Sequence, residues 1–262
     1  MSLGLGSAIR LVSTFEDDPS RGFTFIFGDE NTGTSSLAYS IVDVIAEDKK
    51  VYVLPTEPPH NITGIIKKSF KTQYEAGKFV IPVNKAGESI PIGSFEQFTS
   101  WKEMLLGAKD VGAIVIDALD SVVAMLYKFF EGTTHDIQKI WTETYDAVRD
   151  LFLDINTKMT GIPVIVITKE KADAIYSSKG GKKKITPVLN EDGTPVIVPN
   201  IGKKVLRWAS IRVRLTKKGH YIAMKTKGDI EEQDEFFFTK EEGTHKLTGT
   251  LLPQLFDFEK VR

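Results

Sequence analysis

Residues 23–41 read FTFIFGDENTGTSSLAYSI. Phe23 to Phe27 are all aromatic or β-branched, a run that predicts a buried strand. The loop GDENTGTSS follows. Leu37, Ala38, Tyr39, Ile41, Val42, Val44 and Ile45 then recur at helical spacing, which predicts a helix over about 34–46. A strand, a loop bracketed by Gly28 and Gly33, and a helix make the opening unit of an α/β domain.

The same residues bear on chemistry. Gly28 and Gly33 occupy the two glycine positions of G-x-x-x-x-G-K-[ST], and Ser35 occupies the Ser/Thr position. Glycines let the backbone curl round a phosphate, while successive N–H groups and the helix N-terminus supply the positive field. The nucleotide cradle is therefore expected at Gly28, Asp29, Glu30, Asn31, Thr32, Gly33, Thr34, Ser35 and Ser36. Thr34 stands where the pattern has lysine, so the mobile cation that reaches the β- and γ-phosphates is missing. Taken alone, the stretch is equally compatible with an ordinary strand-to-helix turn.

The rest of the chain repeats the alternation. Val51–Pro55, Phe79–Val83, Val111–Asp117 and Ile162–Thr168 read as further strands. Helices are expected from Ile62, capped by Asn61, to about Ala76, from Ser94 or Phe95 to Leu106, from Ser121 to Phe130, and from about His135 to Thr160. Val111–Asp117 lacks polar alternation, as a strand covered on both faces should. Such alternation predicts one α/β domain over 1–262, with a mostly parallel sheet between helices. Residues 1–22 form a short lead-in, and 171–200 form a flexible basic loop without periodicity. Strands at 205–215, 221–225 and 235–239, with turns at Lys218-Gly219 and Gly228-Asp229, would add antiparallel strands at the C-terminal edge.

Composition narrows the function classes. With no cysteine among 262 residues, disulfides and thiolate metal sites are excluded, and four scattered histidines argue against a zinc site. No apolar run approaches the ~20 residues of a membrane span, and no leader is visible at the N-terminus, so a cytoplasmic protein without membrane contact is expected. The net charge of −1 hides a polarity: residues 171–218 hold twelve Lys or Arg against three acids, and residues 229–262 hold nine acids against four bases.

Two acids sit where a parallel sheet presents its ligand-facing ends. Asp117 closes a strand, where its carboxylate would hold Mg²⁺ with Ser35 or would cap the following helix. Glu57, two residues beyond Pro55, would orient and deprotonate an attacking water or would be a solvated loop acid.

In their order these elements resemble the RecA-like ATPases, and within them the archaeal RadA recombinase and its short RadB-like paralogues. The resemblance runs over nearly the whole chain. VYVLPTEPPHNI (51–62) is similar to the family's strand ending in Asp-Thr-Glu, which puts Glu57 at the catalytic glutamate and Pro55 at the Asp. AIVIDALDSVVAM (113–125) resembles the Walker B strand. IPVIVITKEKADA (162–174) resembles the strand ending in Asn-Gln, with Thr168 and Lys169 at those places. The segment from Val198 to Thr226 resembles the family's Pro-x-Gly-Gly and following strand, so that residues 171–200 fall on its second DNA-binding loop.

The resemblance implies a RecA-like P-loop fold, ATP with Mg²⁺ on Ser35 and Asp117, and a role in homologous recombination or DNA repair on single-stranded DNA. Lys179, Lys182, Lys183, Lys184, Lys203, Lys204 and Arg207 would neutralise phosphates without reading sequence, with Tyr176 and Trp208 available for stacking, or would form a solvated lysine loop. Thr34 for lysine, Asn31 for glycine and Lys169 for the sensor glutamine depart from the pattern. Asn31 is mild, because Asn tolerates left-handed backbone. Lys169 could return the lost positive charge, and hydrolysis is expected to be slow or absent. The lead-in leaves no room for the family's N-terminal domain and shows no polymerisation tether, so an isolated core is expected, with homo-oligomerisation open. Two alternatives remain: a non-catalytic adaptor or regulator of a RadA-type recombinase that binds no nucleotide, and a KaiC-like or phage recombination ATPase. Trp208, Trp141, Phe129 and Phe130 are expected in the core.

Overall fold

The structure, a computed structural model, describes residues 23–29, 32–56, 59–85, 88–179, 182–201, 205, 208–218, 220–227, 234–240 and 247–248. In chain order the elements are β1 (Phe23–Gly28), α1 (Thr34–Ile45), β2 (Lys50–Pro55), α2 (Pro59–Ser69), α3 (Lys71–Glu75), β3 (Phe79–Val80), α4 (Phe95–Leu106), β4 (Val111–Asp117), α5 (Leu119–Glu131), α6 (Ile137–Lys158), β5 (Val164–Ala172), β6 (Ala174–Lys179), β7 (Lys182–Pro187), β8 (Ile197–Pro199), β9 (Ala209–Lys218), β10 (His220–Lys227), β11 (Asp234–Lys240) and β12 (Leu247–Thr248).

β1 lies inside a sheet ordered β12-β11-β10-β9-β1-β5-β4-β2-β3, with β8 added along β5. All pairings from β9 through β1, β5, β4 and β2 to β3 are parallel. The pairings β9–β10, β10–β11 and β11–β12 are antiparallel. The chain is thus an α/β protein with a mostly parallel central sheet, helices on both faces and an antiparallel C-terminal edge. Every residue of β1 and of β4 is buried, which explains their unbroken apolar character.

Side-chain parity divides the core in two. Ile26, Val53, Val115, Ile165, Ile167 and Val213 meet Leu37, Tyr39 and Ile41 of α1 and Ile62 and Ile66 of α2 on one face. Phe25, Leu54, Ile114, Ile116 and Val166 meet Trp101 of α4, Leu119 and Val122 of α5, and Val148 and Phe152 of α6 on the other. Polar ties hold the helices in place. Trp101 Nε1 donates to Val53 O at 3.0 Å. Lys102 of α4 bridges Asp154 of α6 at 2.5 Å, and hydrogen bonds from Lys102 and then Lys158 hold the Asp154 carboxyl below its ordinary pKa. Among the described residues no helix is long and apolar enough to cross a membrane.

Several expectations are corrected. The helix expected over 62–76 begins at Pro59, whose fixed φ suits a first helical position, so Asn61 lies inside it rather than capping it. It breaks at Phe70 (φ −134°, ψ 40°), whose buried ring turns in against Phe79, 5.7 Å away. β3 is only two residues long, and Val83 instead bridges to Ser89. The segment 171–200 is not a structureless loop: β5 runs on to Ala172, β6 and β7 form a hairpin, and β8 returns along β5. Its Ser and Lys positions carry no apolar alternation to reveal it. The strand expected from 205 starts at Ala209 and pairs parallel to β1. Trp141 is 40% exposed and packs on the surface between Tyr127 and Tyr145. Trp208 is half-buried and packs against the core, edge-on to Phe23 and Phe152.

At the edge opposite the C-terminal strand ends, β4 passes under the turn from α1 to β2 at Gly112. A Cβ there would lie 2.8 Å from Ala46 O and 2.7 Å from Lys49 Cβ, whereas a Cβ on Gly64 of α2 would meet nothing within 4 Å. Gly112→Ala is expected to cost about 1–3 kcal/mol through overpacking. Gly64→Ala is expected to gain about 0.5–1 kcal/mol through helix propensity. Urea denaturation of the two variants beside the unsubstituted protein checks the opposite signs.

Candidate functional site

The sheet places the carboxyl ends of β1, β5, β4 and β2 in a row. In open parallel sheets, ligands are received at this edge. Gly28 ends β1 where it pairs with Lys169 of β5 and Leu215 of β9. A Cβ at Gly28 would lie 2.5 Å from Leu215 O and 2.6 Å from Thr32 Oγ1, so the chain turns here only because the residue has no side chain. Thr32 closes the turn, its hydroxyl donating to Asp29 O at 2.7 Å and its N–H to the same oxygen at 3.3 Å.

Gly33 then takes φ 93°, a left-handed geometry that other residues adopt only with strain, and α1 begins. Leu37 N donates to Gly33 O at 2.9 Å, so the N–H groups of Thr34, Ser35 and Ser36 have no acceptor within the helix. Side chains cap α4 and α6, from Ser94 and Asp136. The N-cap residues of α1 and α5, the two helices that flank Asp117, are Gly33 and Ala118, and neither supplies a capping side-chain hydrogen bond. The first turn of α1 contains no acid. A positive helix end and a turned loop thus face the sheet edge together.

Asp117 is the last residue of β4 and is 1% exposed. The helix after it is capped by Ala118 rather than by the Asp117 side chain. Its carboxylate accepts instead from α1: Ser35 Oγ lies 3.4 Å from Oδ1, and Tyr39 OH lies 2.9 Å from Oδ2. Folding therefore joins the two proposed metal-binding residues, 82 positions apart in sequence.

Behind Asp117 stands Thr56, the residue after β2. Its N–H donates to Asp117 O at 2.8 Å. Its Oγ1 accepts from Ala118 N at 2.7 Å and lies 3.0 Å from both Asp117 O and Ala118 O. The peptide between Asp117 and Ala118 is cis.

Lys169 lies beside the start of the loop, in register with Gly28. Strand parity puts it on the face of Ile165 and Ile167, which α1 covers. It is exposed, and its backbone is fixed by N–H donation to Asp120 Oδ1 at 3.4 Å and by acceptance from Asn200 N at 2.7 Å. On the opposite face Glu170 receives a two-pronged ion pair from Arg214, at 2.9 and 3.3 Å, tying β5 to β9 across β1.

The basic segment emerges from the end of β5 as the β6–β7 ribbon. Lys179 and Lys182 pair at its tip, Lys183 pairs with Ser178, Lys184 with Ser177, and Ile185 with Tyr176. Ile175 and Ile185 are 60% and 62% exposed. Glu30, Asn31, Glu57, Lys203, Lys204 and Arg207 lie outside the described residues.

Among the described residues no three His, Cys, Asp or Glu side chains gather as a metal site. One carboxylate and one hydroxyl are nevertheless a donor set that suits Mg²⁺, which keeps several waters and takes its other ligands from substrate phosphates. Sequence reasoning missed Tyr39 and Thr56. Tyr39 had a signal, since it lies four residues after Ser35 and so shares its helix face. Thr56 had only its place beside Glu57. No protein-family model matches the chain, and no curated protein matches it in sequence.

Thr56→Val keeps the shape but leaves the Ala118 N–H without its acceptor in a buried position. It is expected to cost about 1–3 kcal/mol, whereas Thr56→Ser keeps most of the stability. Chemical denaturation of both variants tests this.

Proposed function

We propose that the chain is a RecA-like nucleotide-binding protein, allied to the short archaeal RadA paralogues, that holds ATP with Mg²⁺ and binds single-stranded DNA in recombination or repair. The observation that carries the reading is the meeting of Ser35 Oγ and Asp117 Oδ1 at 3.4 Å. It occurs at the mouth of a glycine-bracketed loop and on the strand whose terminal acid the RecA-like pattern assigns to the metal.

In this reading the N–H groups at the head of α1 and the loop 28–36 bind the phosphates. Ser35 and Asp117 would hold Mg²⁺, which when bound would neutralise the charge of the phosphates. Lys169, beside Gly28, supplies the positive charge that Thr34 lacks. Glu57 orients a water. Hydrolysis is slow or absent, because preorganised positive charge at the transferring phosphoryl group is a main source of rate. Lys179, Lys182, Lys183 and Lys184 of the ribbon, with Lys203, Lys204 and Arg207, contact nucleic-acid phosphates.

Thr34 favours a second reading, in which the fold is an adaptor for a RadA-type recombinase and takes no nucleotide. Calorimetric titration with Mg²⁺ and a non-hydrolysable ATP analogue separates the two. The unsubstituted protein is expected to bind, and Lys169→Ala to bind about tenfold more weakly, a loss of about 1.4 kcal/mol. Binding by Thr34→Lys alone would establish the adaptor reading. Binding by neither would overturn the phosphate-loop assignment, and an unchanged affinity in Lys169→Ala would remove that residue's role.

A further inference from the structure

We infer that Tyr39 is the positioning residue of the Mg²⁺ site: its hydroxyl holds one oxygen of Asp117 so that the other is presented to Ser35 and the phosphates. The inference rests on the nucleotide-binding reading above and adds to it a group on α1 that neither the loop pattern nor the strand pattern contains.

The geometry distinguishes the two carboxylate oxygens. Oδ2 takes a 2.9 Å hydrogen bond from a tyrosine that is fully buried. Oδ1 faces half-buried Ser35 at a longer 3.4 Å, near the head of α1. Because Ser35 and Tyr39 are one helical turn apart, a single helix sets both contacts. A rotation of the carboxylate that served one would disturb the other.

The phenol is itself held. Its ring stands edge-on to Phe79 of β3 at 6.2 Å and 82°, and Phe79 packs on Phe70 between α2 and α3. A chain of aromatic contacts thus runs from the sheet edge to the carboxylate. Mg²⁺ demands near-octahedral geometry and tolerates misdirected ligands poorly. Hydrogen bonds to a ligating carboxylate orient it, and losing one typically costs 10–100-fold in metal affinity.

A purely structural tyrosine would also satisfy a buried carboxylate, so stability alone cannot test the inference. The readout is the Mg²⁺ concentration that gives half-maximal binding of a non-hydrolysable ATP analogue, together with the analogue's affinity in EDTA. Tyr39→Phe is expected to raise the Mg²⁺ requirement about tenfold or more and to leave the EDTA affinity unchanged. Phe79→Leu, a hydrophobic swap that keeps the hydroxyl but frees the ring, is expected to raise it by less. It carries the test alone if Tyr39→Phe does not fold. An unchanged Mg²⁺ requirement in the folded variants overturns the role of Tyr39, while the unsubstituted protein still binds. If the unsubstituted protein binds no analogue at any Mg²⁺ concentration, the nucleotide reading falls and the role falls with it.

Discussion

Asp117 is a carboxylate buried at the end of the interior strand β4, and both of its oxygens are reached from a single helix, α1. A buried carboxylate is costly unless hydrogen-bonded, and this one fixes much around it. The helix must start close to the sheet edge, so β1 must turn sharply at Gly28, with no space for a side chain against Leu215 O. α1 must also lie across β5 to reach β4, which the order β1-β5-β4 arranges. Thr56 closes the arrangement from the other side by binding the backbone on both sides of the Asp117–Ala118 peptide.

The distribution of charge around this centre differs from the lysine-bearing phosphate loops. α1 starts with Thr34, Ser35 and Ser36, all neutral, and its positive end comes from backbone alone. Among the described residues, the cationic side chains at this edge come from the neighbouring strands instead. Lys169 lies in register with Gly28, and Arg214 is engaged with Glu170 on the far face. A lysine on a strand that is hydrogen-bonded to the loop strand has a fixed base, whereas one on the helix moves with the helix. The ion pair beyond it joins β5 to β9, so the strand that carries Lys169 also roots the basic ribbon and is clamped on both sides.

Much of the architecture was legible because its signals are local. Val111–Asp117 has no polar alternation and is covered on both faces, and Phe95–Leu106 starts at a serine that caps it. The β6–β7 ribbon was not legible, because its Ser- and Lys-rich sequence shows no apolar period. The break at Phe70 was hidden for a different reason: it depends on Phe79, a contact that helical periodicity cannot reveal. At the candidate site, the glycines, Ser35 and Asp117 stood out through residue type and spacing. Tyr39 shares a helix face with Ser35 in the sequence, but only the folded arrangement shows that its hydroxyl meets an acid.

The central claim is that the loop from Gly28 to the head of α1 receives the phosphates of a nucleotide. Hydrogen–deuterium exchange of the full chain, with and without Mg²⁺ and a non-hydrolysable ATP analogue, tests it at the backbone groups concerned. Slowed exchange is expected, concentrated in residues 28–36, with a smaller effect at the end of β4. Exchange unchanged there, under conditions where the analogue is shown to bind, would contradict it and move the nucleotide elsewhere on the protein.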